Sequence, residues 1–205
     1  MEIIRLWETD AAIAARRAIE VLKAGGIVLY PTDTLYGLGV DALNLRAIEK
    51  LKELKGRERK KPISVILPTL KHVDQHVVLG DAARLMGERH LPGGLTMVLP
   101  ARSHIPEELT LNGALGVRIP NDPFVLALAH RYLHPFTATS ANLSGLTTGT
   151  TVSEIFEQFG SRIVQIDLVI DDGDRSGTSS TVVEFKNGEP RVLREGVLTR
   201  VDLGL

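Results

Sequence analysis

Apolar and polar positions along this chain keep two periods, one helical and one of strands, and they trade places repeatedly. After the capping pair Thr9-Asp10, Ala11, Ala15, Ala18, Val21 and Leu22 recur at helical spacing, which predicts a helix over 11–24 stopped by Gly25-Gly26. Ile27-Val28-Leu29-Tyr30 is a short apolar run closed by Pro31 and reads as a buried strand. Ala47, Ile48, Leu51 and Leu54 predict a second helix over 45–54, with Gly56 just past its end. Strand 64–67 follows, then a helix over 81–90 capped by Asp81, and a sharp Pro92-Gly93-Gly94 turn into strand 95–99. Residues 116–119 read as a strand, and Asp122-Pro123 opens a helix to about 133 with proline at its first position. Strand 136–139, a short helix opened by Ser153 and an apolar strand over 163–170 come next. Residues 181–185, the turn Asn187-Gly188 and residues 191–194 form a hairpin signature. The order predicts an α/β fold, a twisted mixed sheet flanked by helices, with a largely parallel core and antiparallel strands added by the hairpin. With no repeat, low-complexity tract or linker, a single domain over 1–205 is expected.

Composition narrows the function classes. The chain has 205 residues and no cysteine, which excludes a disulfide scaffold, a thiolate-held metal, an Fe–S cluster and a cysteine nucleophile. No apolar run reaches the roughly 20 residues of a membrane helix, and the first ten residues carry no secretory pattern. A cytoplasmic protein with no membrane association is expected. The formal net charge of -1 and aromatic content of 4% argue against a protein that coats nucleic acid or stacks bases.

That average hides a segregation of charge. Between Arg46 and Lys61 eight basic residues face three acidic ones, whereas 153–189 holds eight acids against three bases. A basic block of this kind is either a solvated helix face or one wall of an anion site. The familiar nucleotide motifs are missing: neither a P-loop nor a G-x-G-x-x-G fingerprint occurs, nor a G-x-S-x-G elbow. His72/His76 and His130/His134 are spaced i,i+4 without the glutamate of a zinc motif, and read as partly exposed helix histidines.

Four stretches are rich in groups that hold anions or hydroxyls. Residues 31–39 (PTDTLYGLG) directly follow a strand, 55–62 (KGRERKKP) cluster cations after a helix, 139–145 (TSANLSG) follow another strand, and 171–181 form a long polar loop. Turns favour the same residues, so each stretch alone is ambiguous. Together they point to a site for an anionic, hydroxyl-bearing ligand.

In this order the motifs resemble the YrdC-like family of threonylcarbamoyl-AMP synthases, over about 12–199. The carrying segments are 31–39, 55–62, LPGGLTMVL at 91–99, GVRIPNDP at 116–123, 139–145, GTSSTVVEF at 177–185 and LREGVLT at 193–199. The resemblance implies a YrdC/RibB-like fold around a large concave cavity. It also implies a nucleotidyltransferase that uses ATP, bicarbonate and L-threonine to make threonylcarbamoyl-adenylate and pyrophosphate, with Mg²⁺ entering on ATP rather than held by protein ligands. A threonylcarbamoyl transferase would consume the product to modify adenosine 37 of tRNA.

Residue by residue, the resemblance places Lys55 and Arg57 in a catalytic K-x-R pair, with Ser140 and Asn142 as its S-x-N partners. Arg57, Lys61, Asn142, Thr150 and Arg194 would bind ATP; Thr34, Arg118, Ser140 and Ser180 would bind threonine. An arginine inside a strand is costly without an anion, which agrees with the role implied for Arg118. The chain departs from the family pattern at Ile66, commonly histidine, and at Ser179, commonly glutamate. It also ends at Leu205, without the extra C-terminal domain of the longer branch, so this branch is expected to be single-domain. Two alternatives compete: a YciO-like paralogue with other nucleotide chemistry, against which the intact Ser140-Ala141-Asn142 counts, and a module that contacts tRNA or double-stranded RNA through the basic face without catalysis.

Overall fold

The computed structural model describes every residue from Met1 to Leu205 except Arg59, so that member of the basic block lies outside the described residues. Among the described residues ten strands form one sheet: β1 (Glu2–Arg5), β2 (Val28–Tyr30), β3 (Gly37–Gly39), β4 (Ser64–Ile66), β5 (Leu95–Pro100), β6 (Ala114–Arg118), β7 (Phe136–Ser140), β8 (Leu168–Asp171), β9 (Thr181–Lys186) and β10 (Glu189–Arg194). Their spatial order is β1-β8-β2-β3-β7-β4-β6-β5-β9-β10.

The mixed α/β sheet is as expected, but its centre is not parallel. Strands β2, β3, β7 and β4 pair antiparallel, while the parallel pairs β1–β8, β2–β8, β4–β6 and β5–β9 lie to either side. The cause is a short connection. Only residues 31–36 separate β2 from β3, too few for the crossover a parallel return needs, so the chain turns back beside itself.

Helices α1 (Ala11–Lys23), α2 (Leu45–Lys55), α3 (Leu70–His76), α4 (Asp81–His90), α5 (Pro123–Tyr132), α6 (Val152–Phe159) and α7 (Arg200–Leu203) flank the sheet. Side-chain caps fix most starts. Asp10 accepts from Ala12 N at 2.7 Å, and Asp122 accepts from Val125 N at 3.0 Å with Pro123 at the first position. Asp81 is not a cap: Gly80 holds that place and Asp81 supplies charge in the first turn. The expected strand over 163–170 begins later, at Leu168, because Gly160–Gln165 is a 3₁₀ turn that leaves Val164 exposed. Strands β1 and β3 and helices α3 and α7 are too short to carry a readable period. Among the described residues, no helix is long and apolar enough to cross a membrane.

The two faces of the sheet are covered unequally, and this creates the site. One face, with Leu29, Leu38, Val65, Met97, Val117 and Val183, packs on residues of α2, α4 and α6 in a large core. On the other face α1 and α5 pack together over Val28, Tyr30, Phe136, Leu168 and Ile170. They leave the stretch from β4 to β9 open on that side. Register carries alternate residues of each strand to the same face: Ile66 stands beside Arg118, and Thr96 beside Val182. That uncovered face is the floor of a cavity.

Candidate functional site

The cavity measures about 790 Å³. Thr34, Arg57, Lys61, Arg118, Ser140, Asn142, Thr150, Ser180 and Arg194, nine of the ten expected site residues, line it. None of the described lining residues is acidic and none is histidine. It therefore presents four cations and a set of hydroxyls, which suits an anionic ligand.

Each side chain reaches the cavity for a local reason. Arg57 follows the end of α2, where its N–H bonds Lys52 O at 2.9 Å and its guanidinium is tethered to Pro62 O at 2.5 Å. Its Nε is buried without a protein partner, and burial lowers its pKa. Thr34 sits in a turn built by Thr32, whose hydroxyl donates to Leu35 O at 2.7 Å and accepts from Thr34 N at 3.1 Å. The loop after β8 presses on that turn: a Cβ at Gly177 would meet Thr34 O at 1.8 Å, so only glycine fits.

Arg194 depends on an irregularity. Val192 pairs with Val183 but Arg194, not Leu193, pairs with Val182, so one extra residue bulges out. Regular pairing would turn Leu193 inward. The bulge exposes Leu193 and brings Arg194 to the cavity face, where it donates to Ser180 O at 2.8 Å.

Ser140 and Asn142 form a braced turn. Ser140 Oγ donates to Asn142 Oδ1, and Asn142 Nδ2 donates to Leu143 O at 2.8 Å and Leu146 O at 2.6 Å. Lys55 is the expected site residue that stays off the cavity wall. It is 1% exposed, and its Nζ donates to Ser140 O, to Asn142 O at 2.8 Å and to Asn142 Oδ1 at 3.4 Å. Burial, with help from Arg57 and Lys61, pushes its pKa down to about 7. The geometry makes Lys55 a strut behind the turn, holding α2 to the 140–142 segment. Thr150 lines the rim, its N–H donating to Glu154 Oε2 at 2.7 Å.

Arg118 also lines the cavity. It is nine-tenths buried at the end of β6, and its Nη2 donates to Asp33 Oδ1 at 3.0 Å and Thr34 Oγ1 at 3.4 Å. Sequence reasoning did not single out Thr32, Asp33 or Thr96. Thr96 is 3% exposed and shares a 2.8 Å hydrogen bond with Ser180 Oγ. A threonine inside the apolar run 95–99 was the available signal. Ile66 lines the wall as a buried apolar residue beside Arg118, and Ser179 also lines the cavity.

The histidines stay apart from this cavity. His76 Nδ1 and His104 Nε2 lie 2.9 Å apart, and among the described residues no group of three or more His, Cys, Asp or Glu side chains is placed to hold a metal ion.

Known proteins share this architecture. The Sua5/YciO/YrdC family model, described as "Telomere recombination", matches residues 20–196. A relative from Methanocaldococcus jannaschii is 33% identical over 96% of this chain and 94% of its own length. The threonylcarbamoyl-AMP synthase of Pyrococcus abyssi is 32% identical over 96% of this chain, which spans only 58% of that relative. The crystal structure of P. abyssi Sua5 complexed with L-threonine superposes with a TM-score of 0.87 at 30% identity, covering 96% of this chain and 57% of that one. E. coli YciO superposes at 0.86 and 24% identity, covering 98% of each chain, a likeness of fold alone. The span of the family model and the identity to these relatives over nearly the whole length place this chain in the Sua5/YciO/YrdC family.

Proposed function

We propose that this chain is a threonylcarbamoyl-AMP synthase, a nucleotidyltransferase that makes threonylcarbamoyl-adenylate and pyrophosphate from ATP, bicarbonate and L-threonine. The carrying observation is the cavity itself: one space of about 790 Å³ lined by four cations, Arg57, Lys61, Arg118 and Arg194, together with a set of hydroxyls. Relatives at 32–38% identity bear the synthase name, which supports this reading over a YciO-like one.

The chemistry asks for positioning and charge screening. A threonine carbamate must bring its oxygen to the α-phosphorus of ATP, so two anions meet and repel unless cations and amide donors surround them. Arg57, Lys61 and Arg194 screen the triphosphate; Arg118, Thr34 and Ser180 hold the amino acid. No histidine or carboxylate is among the described lining residues, and Glu154, which Thr150 Oγ1 meets at 3.3 Å on the rim, already accepts the Thr150 N–H, so a protein nucleophile is not favoured. The carbamate itself attacks, and the braced Ser140–Asn142 turn keeps the meeting point rigid. Mg²⁺ supplies further charge neutralisation when bound. With cations and hydroxyls but no lining carboxylate, the donor set suits a metal carried by phosphate oxygens. The product would pass, in the cytoplasm, to a transferase acting on tRNA.

The test is pyrophosphate release from ATP in the presence and absence of threonine and bicarbonate. Release that requires both supports the synthase; release indifferent to either one refutes it.

A further inference from the structure

The four cations of the cavity differ in their company. Arg57, Lys61 and Arg194 have no carboxylate within ion-pair distance among the described residues. Arg118 does have one. Asp33 Oδ1 accepts its Nη2 at 3.0 Å, both side chains are close to nine-tenths buried, and Asp33 Oδ2 accepts the N–H of Asn121 at 3.0 Å. Asn121 immediately precedes the cap of α5, so Asp33 is gripped through both oxygens and cannot swing away. Asp33 itself is off the cavity wall, while the Nε of Arg118 is buried with no protein partner.

We infer that Asp33 sorts the two substrates by charge: it cancels the charge of Arg118 so that the cavity wall at Arg118 accepts a zwitterion and excludes polyphosphate. This rests on the synthase reading above and deepens it. A triphosphate gains most where cations are uncompensated, at Arg57, Lys61 and Arg194. The Arg118–Asp33 pair is neutral overall, so it offers a polyanion little net attraction. An amino acid carries its own compensating ammonium and needs only directional hydrogen bonds from the unpaired part of the guanidinium. Without Asp33, Arg118 would be a fourth bare cation. Arg194 is near enough to act on its charge, and polyphosphate would then extend from Arg194 onto Arg118. Asp33 is thus a positioning residue that works through Arg118.

Calorimetry with inorganic pyrophosphate as the probe tests this. In the unaltered protein pyrophosphate is expected to compete with ATP and to leave threonine binding unchanged. In Asp33→Asn, which keeps the shape and one of the two acceptor oxygens but removes the charge, pyrophosphate is expected to compete with threonine, its inhibition constant against threonine falling by about tenfold or more, or about 1.4 kcal/mol. A purely structural role would weaken threonine and pyrophosphate alike, and that outcome overturns the inference. Should the variant fail to fold, the unaltered protein decides: pyrophosphate displacing threonine as readily as it displaces ATP refutes the sorting alone. No threonine binding at all refutes the synthase reading, and the sorting with it.

Discussion

Gly116 lies on β6 two residues before Arg118 and faces the floor of the cavity next to Ser64 of β4. A Cβ at position 116 would stand 2.2 Å from Ser64 Oγ and 3.0 Å from its Cβ, closer than atoms tolerate. Gly116→Ala must therefore rotate Ser64 or spread β4 from β6. Overpacking of this kind costs about 1–3 kcal/mol. Working against it, replacing glycine where the backbone suits alanine stabilises by about 0.4–1 kcal/mol through the unfolded chain, and Gly116 is not among the glycines with positive φ. The net expectation is a destabilisation of about 1–2 kcal/mol in urea unfolding. The decisive experiment repeats the substitution in a Ser64→Gly background. There the two closest atoms are gone and the next-nearest is the backbone Cα of residue 64 at 3.4 Å, an ordinary contact. The sign should reverse, alanine now stabilising by about 0.5–1 kcal/mol relative to glycine. Equal destabilisation in both backgrounds would show that the Ser64 clash is not the cause, and the account of how the floor is kept low would fail.

Other outcomes follow from the site. Arg57→Ala should weaken ATP and Arg118→Ala threonine, each by about 1.5–3 kcal/mol for a lost charged hydrogen bond; titration calorimetry that finds threonine affinity unchanged in Arg118→Ala removes the amino-acid pole. Lys55→Met should lower kcat/KM about tenfold or more by freeing the 140–142 turn, while unfolding free energy moves by less than about 2 kcal/mol, since the burial cost of the cation and its bonds to carbonyls oppose one another. A large stability loss with full activity would contradict the strut. Burial, then His104, His134 and His72, pushes the pKa of His76 down to about 4 from 6.5. The unfolded chain therefore binds this proton first, and stability is full above about pH 6.5 and is lost as pH falls toward 4. His76→Gln should flatten that slope by about 1–2 kcal/mol after solvent screening, read from urea midpoints across the window, and an unchanged slope refutes the assignment.

The elements with a full period were legible. The helices over 11–24, 45–54 and 122–133 and the hairpin at Asn187-Gly188 need only local rules of capping, spacing and turn chemistry. Strand β3 was hidden because three residues, two of them glycine, carry no alternation, and its discovery is what makes the centre of the sheet antiparallel. Lys55 shows the same limit at the site. Its place in K-G-R was plain, but whether Nζ faced the ligand or the back of the Ser140–Asn142 turn depended on a strand far along the chain.

The sequence by itself determined the residue types the chemistry needs and their order: arginines and lysines after α2, an arginine at the end of an apolar strand, and hydroxyl-rich turns. Tertiary structure alone decided which of those charges meet a partner. Asp33 and Arg118 are 85 residues apart, and only the pairing of β4 with β6 and the turn after β2 bring them to 3.0 Å. The bulge at Leu193 likewise decides that Arg194 faces the cavity. The physical reason is that side-chain type is a local property, whereas compensation of a buried charge depends on what long-range packing places beside it.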